Sequence, residues 1–220
     1  MKTRRLRHLV LVCVPILVLN QSYLGIENTD RTSPASSSQN KLTRLPSVPA
    51  DEELIAPGQR QPLQLPLSQP KIVVKKAQRQ LLLFSGERLV RTYRVGLGLS
   101  PIGDKVHSGD HRTPEGDFYI FTRNDKSAFY LSLGISYPNV VHAERGLRDG
   151  LITRAQYDAI MRANKAKKTP PQNTQLGGTI YIHGNGAGSD WTWGCVALEN
   201  KDVRELFNAV TVGTPVTIQP

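Results

Sequence analysis

From Lys71 onward the chain is cut into short apolar runs, and this spacing constrains the fold more than any other feature. KIVVKK (71–76), RQLLLF (79–84) and ERLVRTYRV (87–95) follow one another closely, the last after the turn pair Ser85-Gly86. DFYIFT (117–122), FYLSLGIS (129–136), TIYIHG (179–184) and TPVTIQ (214–219) continue the series. Runs this short, rich in β-branched and aromatic residues and bounded by Gly, Pro and Ser, read as strands. Many strands and few helices over ~150 residues imply a mainly β domain, a sandwich or barrel.

Two helices are expected to interrupt the strands. The first spans about Arg154 to Lys167, because Thr153 and Gln156 form a capping box and Tyr157, Ile160, Met161 and Asn164 share a face. Three lysines then favour the negative end of its dipole before Pro170-Pro171. The second spans Lys201 to Val210, with Asn200 as its N-cap and Val203, Leu206, Phe207 and Val210 on one stripe. The segment 140–175 reads as an insertion and is expected to form a lid over a cleft.

The N-terminal part is of another kind. Lys2, Arg4, Arg5 and Arg7 precede an uncharged run from Leu9 to Leu19, the layout of a secretory signal. That run is too short to cross ~30 Å of hydrocarbon as a helix, and Pro15 interrupts it. Residues 1–24 are therefore expected to be a signal peptide or signal anchor. Residues 25–69 read as a disordered linker, since Thr29 to Gln69 holds six Pro and six Ser. The folded domain is expected at 70–220. Export places it in the periplasm or cell envelope of a bacterium, with membrane contact only through an uncleaved N-terminal segment.

The chain carries 28 Lys plus Arg against 18 Asp plus Glu, a formal +10. The basic residues are scattered and accompany no binding motif, so nucleic acid is not an expected partner. Of the two cysteines, Cys13 lies in the signal segment, which leaves Cys195 alone in a mature chain. No intramolecular disulfide can then form, and a lone exported thiol calls for a use. Zinc would need three or four ligands, whereas His107, His111, His142, His183 and Cys195 show no paired spacing. No metal and no organic cofactor is expected.

Chemistry concentrates in IYIHGNGAGSDWTWGCVAL (180–198), which ends a strand at His183, passes through a glycine-rich loop and delivers Cys195. A free thiol is only a few per cent thiolate at neutral pH, so a nearby imidazole that accepts its proton would make it a nucleophile. Gly194 would let a carbonyl substrate approach the backbone, where N–H groups near Gly194 and Cys195 could stabilise an oxyanion. A buried core histidine and an inert buried cysteine are the alternative at this stage.

These residues carry a family resemblance. GDKVHSGDHRTPEGDFYI (103–120), the His183-Gly184 pair and Gly194-Cys195-Val196 ahead of a helix resemble the L,D-transpeptidases with a YkuD-type catalytic domain, in particular a branch with D-W-T-W-G-C. The resemblance covers about Lys71 to Pro220. It implies a β-sandwich or barrel with a helical insertion and one helix after the cysteine. It further implies a cysteine acyltransferase acting on peptidoglycan stem peptides, with Cys195 as nucleophile, His183 as general base and the Gly184 carbonyl orienting the imidazole. Carbapenems would acylate Cys195. The sequence departs from many members at Trp193 and Ala197, where a histidine and an arginine are usual. The lost arginine leaves a substrate carboxylate to Arg112 or to a lysine of the inserted helix. Trp191 and Trp193 either wall the acyl site and exclude water or serve as ordinary core aromatics, with Asn185 and Ser189 as further expected substrate contacts. Cross-linking of two stem peptides with release of D-alanine leads the functional expectations. Hydrolysis of the same bond as a carboxypeptidase or amidase, release of wall-attached proteins, and wall binding without chemistry are the alternatives.

Overall fold

The computed structural model describes residues 60–220. The expected signal segment and most of the expected linker lie outside the described residues. Arg60 to Gln69, the end of that linker, lie against the folded domain: Leu63 and Leu67 pack on its core and Ser68 accepts the Gly86 N–H.

The first three strands form an antiparallel meander, β1 (Pro70–Lys75), β2 (Gln80–Ser85) and β3 (Arg88–Arg94). The long β4 (Gly116–Ser127) and β5 (Tyr130–Ile135) make a hairpin, and β6 (Tyr181–His183) and β7 (Val196–Ala197) extend it. The last strand, β8 (Pro215–Gln219), inserts between β1 and β4 and joins the two halves. The result is one sheet of order β3-β2-β1-β8-β4-β5-β6-β7. Its ends approach each other, because Gly96, just beyond β3, exchanges hydrogen bonds of 2.9 and 2.8 Å with Ala197 of β7. Register shifts in β4 between Ile120 and Thr122 and between Asn124 and Ser127 bend the sheet toward that closure.

The curled sheet holds one core, with Ile72, Leu81, Ile120, Leu133, Val216 and Ile218 fully or almost fully buried. The mainly β expectation is therefore met. The helix after the cysteine, α3 (Asn200–Ala209), closes the core with Val203 and Leu206, as its stripe predicted. Its cap differs from expectation: Asn200 is the first helical residue, Glu199 holds the N-cap position, and no side chain caps the end.

The insertion contains two helices. α2 (Arg154–Lys165) has the predicted Thr153–Gln156 capping box and ends two residues before the predicted boundary. α1 (Val140–Arg148), which sequence patterning did not separate from its surroundings, is capped by Asn139, whose side chain accepts the His142 N–H. Ala143, Ile152, Ile160 and Leu176 form a second, smaller core, so the insertion folds around its own centre.

Candidate active site

His183 ends β6 and Cys195 immediately precedes β7, and the two strands pair in parallel with His183 opposite Ala197. The two-residue repeat of a strand puts Cys195 on the same side as Ala197, and so on the side of His183. The sheet thus brings together two residues separated by a long loop.

His183 is 3% exposed, and its Nδ1 lies 2.7 Å from the Gly184 carbonyl oxygen. A carbonyl only accepts, so Nδ1 carries the proton and the neutral ring keeps a lone pair on Nε2. Burial pushes the imidazole pKa below its ordinary 6.5, while the Gly184 carbonyl pulls the other way. The ring stacks on Phe129 at 4.7 Å and meets Trp191 edge-on at 5.5 Å.

Gly184 fits its place only without a side chain, since a Cβ would lie 2.5 Å from Asn200 Oδ1 and 2.9 Å from the Phe129 oxygen. Its N–H donates to the Phe129 and Leu131 carbonyls. The next N–H, that of Asn185, donates to Asn200 Oδ1 at 2.8 Å. The Gly184 carbonyl and the Asn185 N–H belong to one peptide unit, so Asn200 fixes the carbonyl that fixes the imidazole. This bond accounts for the Asn200 side chain not capping α3.

The Cys195 residue is half-buried. Burial pushes its thiol pKa upward, opposed by the Tyr181 N–H and the Lys105 charge. The Sγ donates to the Thr179 carbonyl at 3.6 Å and accepts the Tyr181 N–H at 3.4 Å; the His183 ring is not among its hydrogen-bond partners. The resting group is therefore a thiol parked on a neighbouring carbonyl.

The backbone around Cys195 is braced. Gly194 has φ +121°, and a Cβ there would lie 2.7 Å from the Arg112 carbonyl. Its N–H donates to Thr192 Oγ1 at 3.2 Å, so of the N–H groups expected to face an oxyanion this one is occupied. Thr192 and Thr113 both donate to the Cys195 carbonyl, at 2.8 and 3.4 Å. Thr113 belongs to the T-P-E-G stretch, whose Glu115 pairs with the buried Lys76 at 2.7 Å, a structural role. Asp190 holds the loop from the other side, paired with Arg79 and accepting the Leu97 N–H.

An open groove of ≈ 470 Å³ is lined by Lys105, Ser108, His111, Gln172, Thr179 and Trp193 among others; neither Cys195 nor His183 lines it, and it reaches the cysteine through Thr179, whose carbonyl meets the Sγ. Trp193 is 77% exposed and stacks on His111 at 5.8 Å, so it forms a rim and covers neither Cys195 nor His183. A smaller hollow of ≈ 250 Å³ collects Asn185, Ser189 and Trp191. Arg112 is not part of either lining: its guanidinium lies by Gly103 and the Asp104 carbonyl. The returning end of the insertion, Gln172 to Thr179, supplies one wall of the large groove. A hollow of the same volume around Lys71, Glu87, Thr211 and Pro215 is lined by no cysteine or histidine.

Phe129, Asn200, Thr113 and Thr192 are site residues that the sequence reading did not assign. Thr113 had a signal in its T-P-E-G motif. Thr192 had one in D-W-T-W-G-C, whereas Phe129 and Asn200 reach the site only through the folded backbone.

Residues 69–218 match the YkuD model, described as the L,D-transpeptidase catalytic domain, and the chain belongs to that family. A Bacillus licheniformis protein whose name assigns it provisionally as the L,D-transpeptidase YkuD is 26% identical over 178 residues, 79% of this chain and 78% of its own. Among solved structures, the helical cell shape determining protein Pgp2 (K307A mutant) of Campylobacter jejuni is 19% identical with a TM-score of 0.47, covering 70% of this chain and 47% of its own. Bdellovibrio bacteriovorus Bd1075 is 23% identical at TM-score 0.44, covering 70% and 48%. The chain LdtMt1, an LD transpeptidase solved with imipenem, is 15% identical at TM-score 0.40, covering 69% and 59%. The chain thus spans about half the length of the Campylobacter and Bdellovibrio structures. Among the described residues no helix is long and apolar enough to cross a membrane.

Proposed function

We propose that this protein is a cysteine L,D-transpeptidase acting on peptidoglycan stem peptides in the envelope of a bacterium, reached by export. The observation that carries the reading is the His183–Gly184 hydrogen bond, which leaves Nε2 as a free base on the sheet face that also carries Cys195 beside an open groove.

Cys195 turns from Thr179 toward Nε2 and gives up its proton, and the thiolate attacks the carbonyl of a diamino acid residue linked to D-alanine. The C–S bond forms as the amide C–N bond breaks, and the imidazolium returns the proton to the departing D-alanine amine. The Cys195 N–H is the nearest backbone donor left for the oxyanion. An amine of a second stem peptide then attacks the thioester, restoring the thiol and joining two diamino acid residues. Neutral His183 suits this scheme, because a base must be unprotonated to accept.

Purified tetrapeptide muropeptides supplied to the protein test the reaction. Dimers lacking D-alanine, seen by mass spectrometry, support transfer. Hydrolysis is the second reading, favoured by the exposure of Trp193, which leaves the groove open to water; shortened monomers without dimers would establish it. A carbapenem tests the nucleophile: a covalent adduct on wild type that Cys195→Ala abolishes is expected, and an undiminished adduct on the variant would sink the assignment. His183→Ala is expected to remain folded and to slow acylation by at least ~100-fold.

A further inference from the structure

We propose that Phe129 is a positioning residue for the general base, clamping the His183 imidazole with its ring while its carbonyl holds the Gly184 N–H. The proposal rests on the roles given above to His183 and Cys195.

Phe129 sits in the tight turn between β4 and β5, where Ser127 pairs with Tyr130 and the Ser127 hydroxyl accepts the Phe129 N–H. It is 42% exposed. An aromatic at a hairpin tip ordinarily contributes little, and this one does nothing for the core of the sheet. What it touches is the base. Its ring lies 4.7 Å from the His183 ring with only 28° between the planes, which is stacking over the imidazole face. Trp191 completes a triangle, 5.5 Å from His183 and 5.8 Å from Phe129. Because all three rings are mutual neighbours, Phe129 and Trp191 shield the imidazole together, and removing either opens it to water.

The same residue also acts through its backbone. The Phe129 carbonyl accepts the Gly184 N–H at 3.0 Å, one atom group away from the carbonyl that holds His183 Nδ1. One turn residue therefore sets the ring plane of the base and anchors the 183–184 peptide, next to the 184–185 peptide whose carbonyl sets the tautomer. The backbone bond survives substitution, whereas the stacking does not, so a variant isolates the side chain's share.

The test uses imipenem as the acylating probe on the full chain and compares wild type with Phe129→Leu and Phe129→Tyr. Intact mass reports adducts on Cys195, and stopped-flow absorbance gives the limiting acylation rate and the half-saturating concentration. The Leu variant is expected to lose about tenfold in limiting rate with half-saturation unchanged, the signature of a base held less well in place. Tyr, which keeps the stacking ring, is expected to restore most of that loss. Thermal midpoints of both should stay close to wild type. A wild-type limiting rate in the Leu variant, a loss confined to half-saturation, or an equal loss in the Tyr variant would each overturn the clamp. Where the Leu variant fails to fold, Phe129→Met serves in its place under the same criteria. Absence of any Cys195 adduct on wild type would overturn the reading of the site itself, and the clamp with it.

Discussion

His183 and Cys195 are both held in their uncharged forms by burial, which lowers one pKa and raises the other. This favours proton transfer on demand over a standing thiolate–imidazolium pair. The pH dependence follows in sign. Below its pKa the imidazole is protonated and cannot accept, so carbapenem acylation should be flat near neutrality and decline on the acid side with a midpoint below 6.5, the ordinary histidine value. A midpoint above 6.5, read from acylation rate against pH, would mean that burial does not govern this group. The same shift predicts a stability effect. An unfolded chain takes up the His183 proton first, so the contribution is present above pH ~6.5 and lost as pH falls toward the folded pKa. The two candidate residues themselves were legible in the H-G and G-C pairs. Their environment was not, because Phe129 reaches the His183 ring from the β4–β5 turn and Asn200 reaches the 184–185 peptide from α3, across gaps in sequence that no local pattern spans.

At the scale of the elements, patterning succeeded where one face decides the outcome and failed where a single polar contact does. α2 and the stripe of α3 were legible because capping and apolar spacing agree. α1 was not, since it spans nine residues and buries only His142, Ala143 and Gly146. His142 is there to meet Asp104 at 3.0 Å, alongside Arg145 at 2.8 Å, and these contacts hold the carboxyl of Asp104 well below the usual range. Asn200 looked like a cap and serves instead as the anchor of the 184–185 peptide. Asn200→Ala should therefore lower the limiting acylation rate by about tenfold while Asn200→Asp, which keeps an acceptor oxygen, retains more of it; equal rates in the two variants would remove Asn200 from the site. The T-P-E-G turn depends on a buried ion pair. Lys76→Met strands Glu115 and leaves the Gly103 and Thr113 carbonyls without their donor, at a cost of about 3 kcal/mol by urea unfolding. A loss near zero would show that water replaces the ammonium.

In the whole molecule, the curled sheet and the helical insertion keep separate cores, yet the groove beside Cys195 needs both. The sheet supplies Trp193 and His111 through loops anchored near its closing edge, and the insertion supplies Gln172 to Thr179. Thr179 stands at φ +54°, unusual for a β-branched residue, and its N–H donates to Gln172 Oε1 while its carbonyl receives the thiol. The wall that positions the resting thiol is thus the end of the insertion, and its stability is set by the small core around Leu176. Leu176 packs on Gly146 of α1, and its carbonyl accepts the Tyr137 hydroxyl at 2.8 Å. Leu176→Ala should empty part of that core and cost about 2–5 kcal/mol locally. Because the two cores do not share residues, hydrogen exchange should accelerate in α1 and α2 while β1, β2 and β8 keep wild-type protection. Acylation should weaken mainly through a higher half-saturating concentration, since the groove wall loosens and the base does not. Uniform acceleration of exchange across sheet and insertion would instead mean that the two cores unfold as one cooperative unit.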